Sequence, residues 1–397
     1  MAKPPTLDFL RTESGAGVVL ALAAVAGLVA ANSPVADSYF ALVGAQIPVR
    51  LGGFSETLTL EAWVRDGLMA VFFFVVGLEV KFEVLRGEFS SPRRLAAPLL
   101  AAVGGMAGPA LVYLALNSGA GGAPRGWPIP TPTDLAFALA ALAIFAGRLP
   151  QSLRLFLLTL AVADDIGAVA LIAVVFSTHL DLTSAAAAAL ILLALAGASS
   201  AIRIPRFLYA LAFVGVWALT LRSGVSTSVA AFACALVVPV EPRRSETEST
   251  LKTFLDALHP YVAYLILPLF AFVSAGVPLA ALSIRSLLAP PALGVALGLM
   301  VGKPLGVFLM VFAAAALRLG RRPLGATWLE MLGVSLLCGA GFTLSFFLSS
   351  LAFGPTQQAA LRAAVILAST VSVLAGGALL TRLQALRAAR GLGEDLD

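Results

Sequence analysis

The chain has 397 residues, of which 60% are hydrophobic and 12% charged, and its mean hydropathy is +0.97. Soluble domains carry about 25% charged residues, so this composition excludes a soluble globular protein and predicts an all-α polytopic membrane protein. The net charge of +5 comes from basic residues spread over short loops without forming a patch, which argues against a nucleic-acid partner. No long polar stretch marks off a second domain. We therefore expect residues 1–397 to form one domain in the lipid bilayer.

Apolar runs along the chain predict about twelve transmembrane helices. The first run has no signal-peptide cleavage site and is expected to stay as a helix. A cytoplasmic N-terminus places most of the 26 basic residues inside, as the positive-inside rule requires, and puts both termini in the cytoplasm. The predicted spans are 14–32, 59–81, 95–116, 121–147, 151–176, 183–200, 205–220, 223–240, 255–276, 290–315, 327–352 and 357–381, and those over 121–147 and 327–352 are interrupted.

A small β-hairpin is predicted in the first long outer loop. Residues 46–60 alternate in polarity around Gly52-Gly53, a pair of residues typical of tight hairpin turns. A two-stranded hairpin is marginally stable alone, so pairing with a second chain is a natural use for it. A plain ordered loop is the alternative.

The first interruption falls within residues 126–134. Prolines at alternate positions there, of which Pro130 and Pro132 are the last two, forbid a continuous helix. Helix is expected to restart after Pro132, with Thr133 as its cap and Asp134 in its first turn. Broken helices at membrane depth are tolerated where they line a water-filled cavity.

Two adjacent carboxylates lie in the middle of a predicted span. Asp164 and Asp165 interrupt the run from Leu155 to Phe176, which is long enough as a helix to cross a bilayer. A charge at mid-membrane costs at least ~3 kcal/mol on insertion scales, so two together indicate an ion or proton pathway. The alternative is a structural aspartate tied to a buried cation.

The remaining metal-binding residue types give little support for a cofactor. Cys234 and Cys338 lie in separate apolar segments without a partner at metal-ligand spacing, and His179 and His259 are far apart. We expect no disulfide, no zinc site and no cofactor.

One lysine is predicted to lie inside the membrane. Lys303 lies well within the span 290–315 and needs a carboxylate or free carbonyls, for which Asp164 and the C-terminal ends of half-helices are the candidates. A phosphate-binding loop is excluded because the glycine spacing is one residue short and Pro304 replaces the required Ser or Thr. A lysine that extends to the membrane surface is the alternative interpretation.

The second interruption falls within residues 338–343, where Gly339 and Gly341 flank an alanine. Each interrupted span is followed by one uninterrupted span, 151–176 in the first half and 357–381 in the second. Paired interruptions of this kind indicate two structural repeats with a binding site where they meet.

Six stretches in chain order resemble the NhaA-type bacterial sodium/proton antiporters. Inverted repeats are a known feature of that family, so the expectation of this architecture comes from the resemblance. It implies about twelve transmembrane helices, inverted structural repeats with two broken, crossing helices, a periplasmic β-hairpin that supports a homodimer, and the bacterial inner membrane. The stretches are 68–81, 133–139, 163–168, 259–272, 302–306 and 338–343.

The resemblance also implies roles for the membrane-embedded polar residues. Asp165 resembles the principal sodium ligand of the family, and Asp164 a second titrating or salt-bridging carboxylate. Thr133 and Asp134 resemble the broken-helix residues that contribute to the site, and Lys303 the compensating positive charge. Asp165, Asp164 and Thr133 would thus form the sodium or lithium site.

Further acidic residues resemble the ends of the family's ion pathway. Glu79 and Glu83, one helical turn apart, correspond to an acidic entrance that attracts cations, and Asp66 corresponds to the periplasmic mouth. Ser226 and Ser274 depart from the family pattern, because histidine and asparagine are usual at these two positions. A histidine-based pH switch near the cytoplasmic segment 241–256 is therefore not expected.

These residues predict exchange of Na⁺ for protons, and the resemblance implies that cytoplasmic Na⁺ or Li⁺ leaves the cell as external protons enter. Sodium is a hard cation that oxygen ligands hold, and burial favours the protonated form of the same carboxylates, so protons and sodium compete for one site. If Lys303 also releases its proton, the exchange is electrogenic, and it would serve sodium and pH homeostasis. A sodium-coupled organic-anion symporter of related fold is one alternative. An intramembrane aspartyl protease is the other, although Asp164 and Asp165 share one helix.

Overall fold

A computed structural model describes residues 13–51, 54–86, 92–176, 181–201, 204–242 and 248–389. The predicted turn at Gly52-Gly53 and the histidine His179 lie outside the described residues. So do six basic residues counted for the orientation: Lys3, Arg11, Arg203, Arg243, Arg244 and Arg390.

The described chain is mostly helical with one two-stranded sheet. Strands β1 (Gln46–Leu51) and β2 (Phe54–Thr59) pair antiparallel, so the predicted hairpin is present. The helices of the first part are α1 (Glu13–Ala31), α2 (Ala36–Val43), α3 (Leu60–Ala62, a π-helical turn Trp63–Leu68, then Met69–Arg86), α4 (Pro92–Asn117), α5 (Leu135–Ala146), α6 (Gln151–Val175), α7 (Leu182–Ala201), α8 (Arg206–Ser223) and α9 (Thr227–Val237).

Two helices of the second part also contain a π-helical turn. Helix α10 (Thr250–Tyr261) continues through Val262–Ile266 to Leu267–Ser274, and α12 (Pro290–Leu297) continues through Gly298–Gly302 to Lys303–Ala316. The others are α11 (Ile284–Leu287), α13 (Trp328–Leu337), α14 (Phe342–Ala352) and α15 (Pro355–Ala389).

Length and apolar composition support a polytopic membrane protein. Within the described residues, six helices are long and apolar enough to cross a membrane, or eight if each of two bent pairs is one span. This count is lower than the predicted twelve because segments such as α5 and α9 are short apolar helices. The total of twelve spans stays a prediction.

The helices form two compact units, each drawn from separate stretches of chain. The first unit comprises the described residues within Met1–Leu28, Ser91–Ala168 and Ala275–Asp397, and the second those within Val29–Ser90 and Val169–Ser274. In the second unit α3 packs closely on α9, since a Cβ at Gly77 would lie 2.7 Å from the Cβ of Ala235.

Both predicted interruptions are present in the first unit. Residues 127–134 are non-helical, and only a 3₁₀ turn, Pro124–Gly126, precedes them, so the span predicted over 121–147 has no α-helix before its break. The alternate prolines explain this difference, because they remove backbone donors throughout the segment. The second break separates α13 from α14 with a bend of 45°.

Helices α4 and α12 approach each other at backbone distance in the same unit. A Cβ at Gly104 would lie 2.2 Å from the carbonyl oxygen of Gly306, and one at Gly108 would lie 2.3 Å from that of Gly302. Such contacts exclude any side chain at these positions, and small residues allow helices in membranes to pack this closely. The crossing brings α4 beside Lys303, the residue after Gly302.

Candidate ion-binding site

A buried ion pair forms the centre of the first unit. Nζ of Lys303 lies 2.7 Å from Oδ2 of Asp164, and both side chains are fully buried. The ammonium also donates to the carbonyl oxygen of Thr131. The predicted partner Asp164 is therefore observed. Lys303 also has a carbonyl partner, but this carbonyl belongs to Thr131 in the non-helical segment and not to the C-terminal end of a half-helix.

Thr133 donates a hydrogen bond to the carboxylate of Asp164 and does not cap a helix. Its hydroxyl lies 2.8 Å from Oδ2 of Asp164 and 3.2 Å from the carbonyl oxygen of Cys338. Oδ2 therefore has both the ammonium and the hydroxyl as donors. Oδ1 of Asp164 is buried and accepts no hydrogen bond from any part of the chain that the structure describes.

Asp134, and not Thr133, is the N-cap of α5. Its Oδ1 accepts from the N–H of Phe137 at 3.1 Å, so the prediction of Asp134 in the first helical turn is wrong by one position. Its Oδ2 accepts from both the N–H (3.0 Å) and the hydroxyl (2.6 Å) of Thr343, at the start of α14. The Asp134 N–H in turn donates to the carbonyl of Ala340 at 2.7 Å. This carboxylate thus joins the two breaks.

Asp165 differs from its neighbour in environment. It follows Asp164 on α6 and is partly exposed, whereas Asp164 is 1% exposed. Consecutive residues of an α-helix point about 100° apart. The two carboxylates therefore face different surroundings, and Asp164 is the one that lies 2.7 Å from Lys303.

The residues of the two breaks pack against each other and against α12. A Cβ at Gly341 would lie 3.3 Å from the carbonyl oxygen of Pro132, and a Cβ at Gly298 would lie 2.8 Å from the Cβ of Pro130. A Cβ at Gly339 would meet neighbouring atoms at 2.5 Å. At Gly339 the close atoms include the carbonyl oxygen of Leu299 at 2.6 Å, so the neighbouring backbone leaves no room for a side chain there.

Three groups that form hydrogen bonds around Asp164 and Asp134 were not predicted from the sequence. These are the hydroxyl of Thr343, which lies in the second break, and the carbonyl oxygens of Thr131 and Cys338. A signal for Thr343 exists, because each helix restart carries a threonine within two residues of its start. Backbone carbonyls leave no signal in residue identity.

The predicted accessory carboxylates belong to the second unit. Oε1 of Glu79 lies 3.7 Å from Nε2 of His259, and Glu83 follows one turn later, partly exposed. Asp66 lies in the π-helical turn of α3, 2.6 Å from Arg65. At 1.5 Å per residue, Asp66 is about 20 Å from Glu79 along the helix, so these residues occupy opposite ends of α3.

The buried site offers oxygen atoms as ligands. Within the described residues, no group of three or more His, Cys, Asp and Glu could hold a metal ion. Oxygen atoms are nevertheless present in the carboxylate of Asp164, the hydroxyl of Thr133 and the carbonyl of Cys338. Broken helices beside buried, ionisable side chains are typical of secondary transporters.

Comparison with known sequences identifies the family. The model of the family described as Na⁺/H⁺ antiporter 1 matches residues 7–380. The chain belongs to this family, which confirms the resemblance found in the sequence.

Curated relatives cover most of the chain. It is 44% identical over 347 residues to "Na(+)/H(+) antiporter NhaA" of Pseudomonas putida (strain GB-1), a match that covers 87% of this chain and 88% of that protein. It is 45% identical over 382 residues to the protein of the same name from Bordetella parapertussis, covering 94% of this chain and 95% of that protein. It is 43% identical over 367 residues to "Na(+)/H(+) antiporter NhaA 2" of Pseudoalteromonas atlantica, covering 90% of each.

Proposed function

We propose that this chain is an ion antiporter and not an enzyme, and that it exchanges cytoplasmic Na⁺ or Li⁺ for external protons. Family membership over residues 7–380 supports the exchange of Na⁺ for H⁺. The observation that carries the site assignment is the carboxylate of Asp164, which shares one oxygen between Lys303 and Thr133 and keeps a buried second oxygen. Lithium extends the proposal, because the same oxygen ligands suit it.

The ion pair provides a means of competition. Two charges removed from water attract each other strongly, and a cation that enters must compensate the carboxylate in place of the ammonium. Binding of Na⁺ by Asp164 and Asp165 would therefore release protons from Asp165 and Lys303. Two protons for one sodium ion make the exchange electrogenic, and exposure of the site to each side in turn completes the cycle.

The wider architecture belongs to the same proposal. We infer about twelve transmembrane helices in two inverted repeats, with both termini cytoplasmic in the bacterial inner membrane. Glu79 and Glu83 would attract cations at the cytoplasmic entrance, and Asp66 would lie at the periplasmic mouth. The hairpin of β1 and β2 would pair with that of a second copy to form a homodimer. Sodium and pH homeostasis would be the physiological role.

The test is a proton-gradient assay in everted membrane vesicles. After an acid interior is established, added NaCl should collapse the gradient for the wild-type protein and have no effect for Asp165→Asn or Asp164→Asn. Asp165→Asn loses a ligand and a proton carrier, and Asp164→Asn loses a ligand and the carboxylate that pairs with Lys303. The protein must be shown to be present in the membrane in each case. Sodium-dependent proton movement in Asp165→Asn would disprove the assignment of Asp165.

The same assay decides between the proposal and its alternatives. A wild-type protein that never collapses the gradient at any pH would favour the sodium-coupled organic-anion symporter. Peptide cleavage without sodium-dependent activity would favour the aspartyl protease. The names of the relatives favour neither alternative.

A further inference from the structure

One face of the Asp164 carboxylate is bordered by a residue without a side chain. Gly105 on α4 is buried, and a Cβ added to it would lie 3.8 Å from Oδ1 of Asp164 and 4.0 Å from Cε of Lys303. Oδ1 is the oxygen that accepts no hydrogen bond from the described residues, whereas Oδ2 has Lys303 and Thr133 as donors. The backbone of α4 therefore borders the oxygen with free acceptor capacity.

The close crossing of α4 and α12 is the reason that Gly105 reaches this position. Its neighbours Gly104 and Gly108 lie against the backbone carbonyls of Gly306 and Gly302, on either side of Lys303. Those two glycines are needed for packing, because a Cβ there would come within about 2.3 Å of a carbonyl oxygen. Gly105 differs from them, since its added Cβ would make an ordinary contact with the carboxylate.

We propose that Gly105 determines ion specificity by keeping the Oδ1 face of Asp164 open to a cation and its other oxygen ligands. The inference rests on the proposed function, which places the transported cation at Asp164. A methyl group at this position supplies no ligand and occupies the space that ligands of the cation need. Na⁺ is larger than Li⁺ and holds its ligands at longer distances, so the methyl group penalises Na⁺ more than Li⁺.

A packing role for Gly105 makes a different prediction. The added Cβ would lie 3.0 Å from Cγ2 of Val307, so this neighbour must move by a few tenths of an ångström. Val307 is itself fully buried on α12, one turn after Lys303. A purely steric effect would therefore be relieved by removal of the Val307 methyl groups, and an effect on the ion site would not.

The experiment compares Gly105→Ala, Val307→Ala and the double variant with the wild-type protein in everted vesicles, using NaCl and LiCl separately. For Gly105→Ala and the double variant we expect the Na⁺ concentration at half-maximal exchange to rise about tenfold, the effect of one methyl group in a tight site, with a smaller rise for Li⁺. For Val307→Ala we expect both concentrations to stay near those of the wild type.

Three outcomes would overturn the inference: unchanged concentrations in Gly105→Ala, an equal rise for both ions, or full recovery in the double variant. If Gly105→Ala alone does not accumulate in the membrane, the double variant still measures the effect of the added methyl group on exchange. Asp164→Asn separates this inference from the proposed function. Exchange retained in Asp164→Asn would disprove the site itself, whereas loss of exchange there with unaltered Gly105→Ala disproves only the role of Gly105.

Discussion

The buried pair of Lys303 and Asp164 is held by partners on three segments of chain. Lys303 belongs to α12, Asp164 to α6, and the carbonyl of Thr131 and the hydroxyl of Thr133 to the non-helical segment before α5. Desolvation of two charges is expensive, so such a pair adds little net stability, but removal of one partner is strongly unfavourable. The arrangement therefore suits a site where an incoming cation replaces the ammonium.

Lys303→Ala is expected to destabilise the protein by about 3–5 kcal/mol, because it leaves a buried carboxylate without its counter-charge. The variant should also alter the pH dependence of exchange and make it electroneutral, since one proton carrier is lost. Thermal unfolding in detergent measures the first effect, and the sensitivity of exchange in proteoliposomes to membrane potential measures the second.

Lys252→Ala provides the matched control. Lys252, in the first turn of α10, lies 3.1 Å from Glu248, which precedes that helix, and both side chains are exposed. Surface pairs of this type contribute at most about 1 kcal/mol. It should resemble the wild type in both measurements. If charge movement per cycle is unchanged in Lys303→Ala, Lys303 does not carry a transported proton.

The sequence was sufficient to identify the buried charged residues but not to decide which residue caps α5. Asp164 and Lys303 are conspicuous because charge is costly in apolar segments. Thr133 and Asp134, by contrast, are both good capping residues, and only the backbone conformation decides between them. Residue type alone therefore led to the wrong cap.

The interrupted helices are stabilised mainly by each other. A helix end leaves backbone donors and acceptors without partners, and in a membrane those groups need a partner within the protein. Asp134 accepts from one N–H group in the first turn of α5 and one in the first turn of α14, and its own N–H donates to the carbonyl of Ala340. One carboxylate thus satisfies the starts of two helices at once.

Thr343→Val is expected to lower the free energy of unfolding by about 1.5–3 kcal/mol and to slow exchange. It removes the 2.6 Å hydroxyl bond to Asp134 and leaves the backbone bond at 3.0 Å. Thermal unfolding and initial rates of exchange at saturating Na⁺ measure the two effects. Thr343→Ser keeps the hydroxyl and should resemble the wild type. If Thr343→Ser is as unstable as Thr343→Val, then methyl packing and not the hydrogen bond holds this position.

Breaks made by proline or glycine were predictable, whereas π-helical turns were not. Alternate prolines and the Gly339–Gly341 pair each have a direct effect on backbone geometry, so both interruptions could be located from the residues. The turns at Trp63–Leu68, Val262–Ile266 and Gly298–Gly302 share no residue pattern, since the first contains a charged pair, the second has neither charge nor glycine, and the third begins and ends with glycine. They depend on packing against neighbouring helices, which residue order does not reveal.

At the scale of the whole molecule, the two compact units each combine distant parts of the chain. The first unit brings residues near 100, 164 and 303 together, and the second brings α3 against α8, α9 and α10. Composition could predict a membrane protein, and the orientation inferred from the charges stays a prediction. They could not predict this division, because it depends on which helices pair and not on where each one lies in sequence.

The predicted orientation can be tested with single cysteines. Both native cysteines, Cys234 and Cys338, are buried, and their replacement by alanine provides a background for labelling. With both termini cytoplasmic, Ser118→Cys should react with an impermeant maleimide in intact cells, and Glu248→Cys only after permeabilisation. Both positions are exposed at the surface of the protein. The reverse pattern of labelling would show that the topology is inverted.

The π-helical turn Gly298–Gly302 ends at the residue before Lys303. Such a turn accommodates one residue more than an α-helical turn, and each residue of an α-helix corresponds to about 100° of rotation. The one extra residue in this turn therefore sets the direction in which the Lys303 ammonium points around the axis of α12. Rewinding this turn as α-helix would rotate Lys303 about the axis of α12 and away from Asp164.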